Sequence, residues 1–169
     1  MTIESRVYLQ AELNGNTYGS WVNMDTLIDQ VGDLNASLSV AMGMDPEFDE
    51  VLAFDSEGVC SAFIGRYGSF DTDACIEFYE WAAGEDDSLV NAALAYMDYT
   101  GNDWDKVAFE DAYNGEWDSE RAFAENLFDD CYSHEVPEFM QNYIDYDAFA
   151  RDLFCGDYTF IEGFVFSDC

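Results

Sequence analysis

Basic residues are almost missing from this sequence. Lysine and arginine together number 5, against 37 aspartate and glutamate residues, and the formal net charge at pH 7 is −32. Lys106 is the sole lysine and His134 is the sole histidine. A chain this negative repels nucleic acids and anionic membrane surfaces. The sequence therefore predicts binding to neither, and its electrostatic partners are cations and basic proteins.

The residues that enzyme chemistry needs are also scarce. A catalytic dyad or triad through histidine would have to use His134, near a predicted helix end, where a plain surface histidine is the simpler interpretation. The motifs GxSxG and GxGxxG and a P-loop lysine are absent. Carboxylate pairs for glycoside hydrolysis carry no information in a chain with so many acids. The sequence predicts no catalytic residue, no cofactor and no enzyme activity.

Built metal sites are not predicted either. One histidine and isolated cysteines do not make a zinc site. The best start of an EF-hand loop is Asp98, but Asp103 then stands where glycine belongs and Phe109 where the bidentate glutamate belongs. We expect only weak condensation of divalent cations on the surface.

Cysteines are odd in number and form no CxxC pair. They are Cys60, Cys75, Cys131, Cys155 and Cys169. The sequence has no recognisable signal peptide and no apolar run of membrane-spanning length. These features predict a reducing cytoplasm as the location.

Material for a hydrophobic core is plentiful. Hydrophobic residues make up 49% of the chain, and the aromatics are 14 Phe, 11 Tyr and 4 Trp, with only 2 Pro. Acid-rich chains often stay disordered because they lack apolar surface to bury, and this composition predicts a folded protein instead. Residues 1–66, 67–117 and 118–169 carry net charges of −9, −12 and −11. The charge therefore covers the whole chain and does not form an acidic tail.

Residues 1–66 have the pattern of a small α+β domain. Apolar and polar side chains alternate over 6–12, a turn signal occupies 14–16, and a second strand follows over 18–23, which predicts a hairpin. A third strand is predicted over 50–54.

One helix is predicted between the second and third strands. Asp25 is its expected N-cap. Apolar residues then recur at helical spacing, namely Leu27, Ile28, Val31, Leu34 and Leu38.

The rest of the chain is predicted to be mainly helical. The expected helices span 71–83, 86–99, 102–115, 118–132, a short stretch after Pro137, and 145–154. A closing strand is expected over 158–166, with a turn or bulge at Gly163. The predicted fold class is α+β in three small domains: an N-terminal antiparallel sheet with a helix (1–66), a central helical domain (67–117) and a C-terminal α+β domain (118–169).

Part of the acidity has a local explanation, because acids in the first turn of a helix are stabilised by its dipole. Asp73 is one of these first-turn acids. Glu77 and Glu80 lie beyond the first turn and follow Asp73 at spacings of four and three on one helix face, where like charges repel. Asp129 and Asp130 fall near a predicted helix C-terminus, where the dipole disfavours them. No base balances these acids, so an external partner is indicated.

Four segments carry a family resemblance: Arg6-Val7-Tyr8, Gly19-Ser20-Trp21-Val22, Asp49-Glu50-Val51-Leu52-Ala53-Phe54-Asp55, and Val136 to Leu153 followed by Gly156-Asp157-Tyr158. They resemble the ArdA-type antirestriction proteins of phages, plasmids and transposons, over nearly the full chain. The last segment is the most specific, through its Tyr-Ile-Asp-Tyr and Ala-Arg-Asp-Leu runs. The sequence departs from the family's pattern over 33–46 and in its short strand region after Asp157.

The resemblance implies how such a protein works. Members of that family are elongated, three-domain DNA mimics that dimerise through the C-terminal domain. They occupy the DNA-binding groove of type I restriction-modification enzymes, in the cytoplasm of a bacterial host cell. A net charge of −32 equals that of about 16 base pairs, since duplex DNA carries one charge per ~1.7 Å of axis. Acids on a helix face recur every turn, about 5.4 Å, which is comparable with phosphate spacing.

The resemblance and the charge pattern together predict two sets of functional residues. The acids expected to bind the partner are Asp71, Asp73, Glu77, Glu80, Glu85, Asp86, Asp87, Asp98, Asp103, Asp105, Glu110, Asp111, Glu116, Asp118, Glu120, Glu125, Asp129 and Asp130. The aromatic residues expected at a homodimer interface are Phe139, Tyr143, Tyr146, Phe149, Phe160 and Phe164.

Two other functions stay open on the sequence alone. An acidic mimic aimed at another DNA-binding target, such as a CRISPR effector or a nucleoid protein, would have the same composition. A halophilic or ion-buffering globular protein would also be acidic and poor in lysine, but it would bind no host nuclease.

Overall fold

The computed structural model describes residues 4–45 and 47–168. This part of the chain is a mixed α+β fold with eight α-helices and two antiparallel sheets of three strands each. The predicted α+β class is confirmed. The expectation for Cys169 lies outside the described residues.

The chain divides into two compact units. The first consists of Met1–Val90 and Gly101–Trp104, and the second of Asn91–Thr100 and Asp105–Cys169. The division into three domains at 66/67 and 117/118 stays a prediction.

The first sheet is built as the alternation in the sequence predicts. Strands β1 (Arg6–Leu13), β2 (Asn16–Asn23) and β3 (Val51–Glu57) are antiparallel, in the order β2-β1-β3. Between β1 and β2, Asn14 and Gly15 both have positive φ angles, 52° and 77°. A two-residue turn of this kind matches the twist of hairpin strands, so the predicted hairpin is confirmed.

The single helix predicted behind Asp25 is wrong. Two short helices replace it, α1 (Met24–Asp29) and α2 (Leu34–Met42). Asn23 caps α1 by accepting a hydrogen bond from the Thr26 N–H at 2.9 Å, which leaves Asp25 inside the first turn.

The break between these helices is a left-handed turn at Val31 and Gly32, with φ angles of 52° and 75°. Their N–H groups donate to the carbonyls of Ile28 and Leu27, which satisfies the end of α1. Asp33 then caps α2 through its side chain. The apolar spacing in the sequence continues across this turn, which is why it resembles one helix.

A buried core organises the rest of the first unit. Two 3-10 helices, Gly58–Phe63 and Arg66–Gly68, lead from β3 to helix α3 (Thr72–Ala82). Phe78 of α3 is fully buried, and its ring centroid lies 4.8 Å from that of Trp104. The bounds of α3 agree with the predicted helix over 71–83.

Helix α4 spans Asp87–Thr100, in agreement with the predicted helix over 86–99. From Asn91 onward its residues belong to the second unit. Buried alanines and Met97 line its inner side.

The helix predicted over 102–115 is shorter at both ends. Helix α5 spans Lys106–Ala112, because Asp105 and not Asn102 provides the N-cap. The Asp105 carboxylate accepts hydrogen bonds from two backbone N–H groups, at 2.9 and 3.1 Å. Strand β4 (Tyr113–Glu116) follows, so the predicted helical end is wrong there and the segment 67–117 is not helical throughout.

The chain from 118 to 157 is helical, as predicted, but in more pieces. Helix α6 (Glu120–Leu127) is capped by Ser119 and continues into a π-helical turn, Phe128–Tyr132. A 3-10 turn at Ser133–Glu135 follows. Helices α7 (Glu138–Gln141) and α8 (Tyr146–Leu153) complete this part of the unit.

The predicted closing strand is a hairpin. Strands β5 (Tyr158–Ile161) and β6 (Phe164–Ser167) are joined by Glu162 and Gly163, which have φ angles of 53° and 94°. Both pair antiparallel with their neighbours in the order β4-β6-β5. Gly163 is thus the turn that the sequence indicates.

No helix among the described residues is long and apolar enough to cross a membrane.

Candidate functional site

The acidic side chains are almost all at the surface. All 37 Asp and Glu residues fall in the described part of the chain, and every one is exposed except Glu125, which is half-buried. Burying an unpaired carboxylate is costly, and this fold buries none. Almost all of the negative charge of the chain therefore lies at the surface.

Helix α3 presents the clearest acidic row. Cys75, Phe78 and Ala82 are buried on one side of the helix. Asp73, Glu77 and Glu80 are exposed on the opposite side, as their spacing predicts. Successive members are one helical turn apart, about 5.4 Å along the axis.

Three of the predicted partner-binding acids also cap helices. Asp71 accepts a hydrogen bond from the Ala74 N–H at 3.1 Å, and Asp86 accepts one from the Leu89 N–H at 2.9 Å. Asp105 caps α5. These acids have a structural role in addition to their exposed charge, because a cap satisfies backbone donors that the helix leaves open.

Two of the predicted acids are partly neutralised by bases. Glu110 lies 3.5 Å from the Lys106 ammonium, and Glu125 lies 2.7 Å from the Nε of Arg121. Hydrogen bonding to Glu125 and the charge of Asp147 raise the pKa of Arg121. These two acids contribute less net charge than the rest of the set.

A further base is paired in the first sheet. The Nε of Arg6 donates to Glu57 at 2.6 Å, and the Arg6 guanidinium lies 4.6 Å from the Trp21 ring centroid. The hydrogen bond from Arg6 lowers the pKa of Glu57 below its ordinary value of 4.5.

The remaining predicted acids are exposed and are distributed over both compact units. In the first unit they are Glu85, Asp87 and Asp103. In the second unit they are Asp98, Asp111, Glu116, Asp118, Glu120, Asp129 and Asp130. Asp129 and Asp130 lie in the π-helical turn after α6.

Two of the predicted interface aromatics form part of an exposed apolar patch. Phe139 of α7 is 72% exposed and Tyr143, just after α7, is 84% exposed. Met140 is 48% exposed beside them and was not predicted from the sequence. We call Phe139, Met140 and Tyr143 the α7 patch.

The other predicted interface aromatics are packed within the second unit. Tyr146 and Phe149 lie 5.6 and 6.2 Å from Phe128, ring to ring, and Phe160 lies 6.4 Å from Phe154. Phe164 is only 6% exposed, because strand β6 turns it into the core. Of the six predicted interface aromatics, Phe139 and Tyr143 are therefore the most exposed.

In residues 4–45 and 47–168, no group of three or more His, Cys, Asp or Glu side chains is placed to hold a metal ion. His134 is exposed, and its Nε2 lies 3.9 Å from a Glu135 carboxylate oxygen. The surface offers a dense array of fixed negative charge, which can bind cationic groups.

Sequence reasoning missed further exposed groups in residues 4–66. Their acids are exposed as well, although none was included in the predicted partner-binding set. Phe54 is exposed in this range, and so is Tyr67 directly after it. The sequence could have indicated these acids as partner-binding residues, because residues 1–66 carry a net charge of −9.

A protein-family model matches nearly the full length of the chain. The family model described as "Antirestriction protein (ArdA)" matches residues 10–166 of the 169 residues. No curated protein matches the chain.

Proposed function

The chain belongs to the ArdA antirestriction protein family, and from this premise we propose that it mimics DNA and occupies the DNA-binding groove of a type I restriction-modification enzyme. The family description assigns an antirestriction role. The protein acts as a competitive inhibitor and catalyses no reaction, in the cytoplasm of a bacterial host cell.

One observation carries the proposal: this fold leaves its acids exposed and almost unbalanced. The net charge of −32 is spread over both compact units, and three bases are already paired with acids. A groove that binds DNA is lined with Lys and Arg and gains its affinity by neutralising phosphates. The acidic surface supplies the same class of counter-charge.

Local structure holds part of this charge in place before binding. The row of Asp73, Glu77 and Glu80 stands on α3, which Phe78 anchors in the core. A charge array on a folded helix loses less conformational entropy on binding than a flexible acidic tail. We therefore expect the protein to bind the enzyme more tightly than an unstructured polyanion of equal charge does.

A protein that mimics DNA has no nucleobases for the enzyme to recognise. Direct readout requires donors and acceptors on base edges, whereas carboxylates resemble only the phosphates. The inhibition is therefore expected to be independent of the enzyme's target sequence.

We also propose that the protein is a homodimer through residues 118–169, with the α7 patch at the interface. Phe139, Met140 and Tyr143 are close together in the sequence and expose large apolar surfaces. Burying such surface gives about 25 cal/mol per Å², and two copies would double the charge presented to a groove. In the proposed dimer the acidic surfaces of both copies serve one target.

The test is competition between the protein and duplex DNA for a purified type I enzyme. Two duplexes are compared, with and without the enzyme's recognition sequence, over a range of salt concentrations. We expect displacement of both duplexes, with inhibition weakening as salt rises. Poly-glutamate of matched charge is the control and should inhibit far less. Simultaneous binding of protein and DNA to the enzyme would refute the mechanism.

The same competition assay, repeated with other DNA-binding proteins, distinguishes this function from the two alternatives. Failure on the type I enzyme together with displacement of DNA from a CRISPR effector or a nucleoid protein would keep DNA mimicry and change the target. A halophilic protein would displace DNA from none of them and would lose its structure at low salt, as seen by circular dichroism.

A further inference from the structure

Three sulfur atoms meet in the core of the first unit. The Cys60 Sγ lies 3.4 Å from the Met24 Sδ, and the Cys75 Sγ lies 3.9 Å from each of these two atoms. The side chains come from α1, from the 3-10 helix Gly58–Phe63 and from α3. Both cysteines are 0% exposed and both are free thiols. We call this group the sulfur cluster.

The triangle has the dimensions of a three-coordinate metal site. From these separations, a point equidistant from the three sulfurs lies about 2.2 Å from each of them, close to the metal–sulfur distance of about 2.3 Å. An ion at that point would lie at bonding distance from all three sulfurs. Three segments remote in sequence therefore bring three soft donors to one centre.

The donor set decides which kind of ion fits. Thiolate and thioether sulfurs are soft ligands that select Cu(I) over hard cations such as Mg²⁺ and Ca²⁺. Structural zinc takes four ligands, and the cluster offers three. None of the acids that dominate the rest of the protein is buried, so they do not complete a harder site in this core.

We propose that Met24, Cys60 and Cys75 form a buried binding site for one soft monovalent metal ion of the Cu(I) class. On binding, both thiols lose their protons and each sulfur donates a lone pair to the ion. Two protons leave and one positive charge enters, so the cluster changes from neutral to a net charge of −1, with no change in oxidation state. The bound ion ties α1 and α3 to the 3-10 helix between them.

The experiment titrates the full chain with Cu(I), without oxygen, against a chromogenic Cu(I) chelator. The parent protein for this test carries Cys131→Ser, Cys155→Ser and Cys169→Ser, so that only the buried thiols remain. We expect one ion per chain, sulfur-to-metal charge-transfer absorption, and an X-ray absorption spectrum with three sulfurs at about 2.2–2.3 Å. The melting temperature should rise, because a ligand that binds only the folded state stabilises it.

Variants then identify the ligands. Met24→Leu keeps an apolar side chain of similar size, so it should fold, bind with reduced affinity and give a two-sulfur spectrum. Cys60→Ser and Cys75→Ser should abolish retention against the chelator. Zn(II) is the matched control ion and should not be retained.

Several results would overturn the site. These are unchanged affinity in Met24→Leu, retention of Zn(II) in preference to Cu(I), a two-sulfur spectrum in the parent, or recovery of Cys60 and Cys75 as a disulfide without metal. Inhibition of a restriction enzyme is not a readout here, so the proposed function can fail while this site stands.

Discussion

Arg121 of α6 lies between two acids: its Nη1 is 3.0 Å from an Asp147 oxygen on α8, and its Nε is 2.7 Å from Glu125 on its own helix. The chain has a net charge of −32 and only five basic residues. One of them, Arg121, therefore screens two acids where α6 packs on α8. Without the guanidinium, the two carboxylates would face each other uncompensated.

Replacing Arg121 with alanine should lower the melting temperature, because two ion pairs are lost and like charges are left together. The loss should be greatest at low ionic strength and should shrink as salt screens the acids. Arg151→Ala is the control, since Arg151 is an exposed base of α8 with no ion pair in the described part of the chain. Equal losses in the two variants would contradict the role given to Arg121.

The Arg6–Glu57 pair predicts a pH dependence of stability. The pKa of Glu57 is lowered in the folded state by the hydrogen bond from Arg6. The stabilisation is therefore complete above the ordinary value of 4.5, and it is lost as the pH falls through the lowered pKa. Thermal unfolding of wild type and Glu57→Gln should differ at neutral pH, and the two should converge in acid. A difference that grows on acidification would have the wrong sign.

Neutralising the α3 row should reduce inhibition without unfolding the protein. The variant Asp73→Asn/Glu77→Gln/Glu80→Gln should inhibit a type I enzyme many-fold more weakly. Its melting temperature should hold or rise, because repulsion along the helix falls. Glu77→Gln or Asp129→Asn alone should cost less than about tenfold, since an exposed ion pair is worth only about 0–1 kcal/mol.

The matched control for that series is Asp45→Asn/Glu47→Gln/Asp49→Asn, which removes three acids outside the predicted set. This control variant should lose clearly less inhibitory activity than the α3 triple variant. Equal losses would mean that total charge matters and its position does not. If one neutral substitution abolished inhibition while the protein stayed folded, inhibition would depend on a discrete site and not on a distributed acidic surface.

The α7 patch predicts the effect of polar substitutions on assembly. Phe139→Ser/Tyr143→Ser should yield a monomer by light scattering at micromolar concentration. Its fold should be preserved, because both side chains are largely exposed. Phe54→Ser, which changes an exposed phenylalanine of the first unit, should leave assembly unchanged. A wild-type protein that is already monomeric would refute the proposed dimer.

Val31→Gly should stabilise the protein. Val31 is 87% exposed, so its side chain contributes little packing, yet its φ angle is 52°. A left-handed conformation costs an L-residue about 1–2 kcal/mol, and glycine adopts it freely. Chemical denaturation should show a gain of about 0.5–1 kcal/mol, because the more flexible unfolded chain offsets part of the relief. Val40→Gly, an exposed position inside α2, is the control and should destabilise.

Local signals in the sequence predicted the elements that local interactions create. The Asn14–Gly15 turn follows from residues that tolerate positive φ angles. Helix α3 follows from the Asp71 cap and an apolar face. The exposure of the acids follows from the cost of burying charge.

Features that depend on contacts between segments distant in the sequence could not be predicted from local signals. Strand β4 is four residues long with no clear alternation, and it exists because β6 pairs with it. The burial of Phe164 has the same origin, since β6 turns it inward. The contact of Met24 with Cys60 and Cys75 joins three segments, and no spacing in the sequence relates them.

The pairing of β4 with β6 also sets an order of events during synthesis. Asn114 and Ser167, which are hydrogen-bonded across this sheet, are 53 residues apart. Strand β4 must therefore wait until the ribosome has released nearly all of that intervening chain. The hairpin of β1 and β2 closes over a two-residue turn and needs no such delay. At ribosomal rates of about 5–20 residues per second, the newly made second unit spends seconds with an open strand edge. That interval is when truncation or stalling would leave Tyr113 and its neighbours open to aggregation.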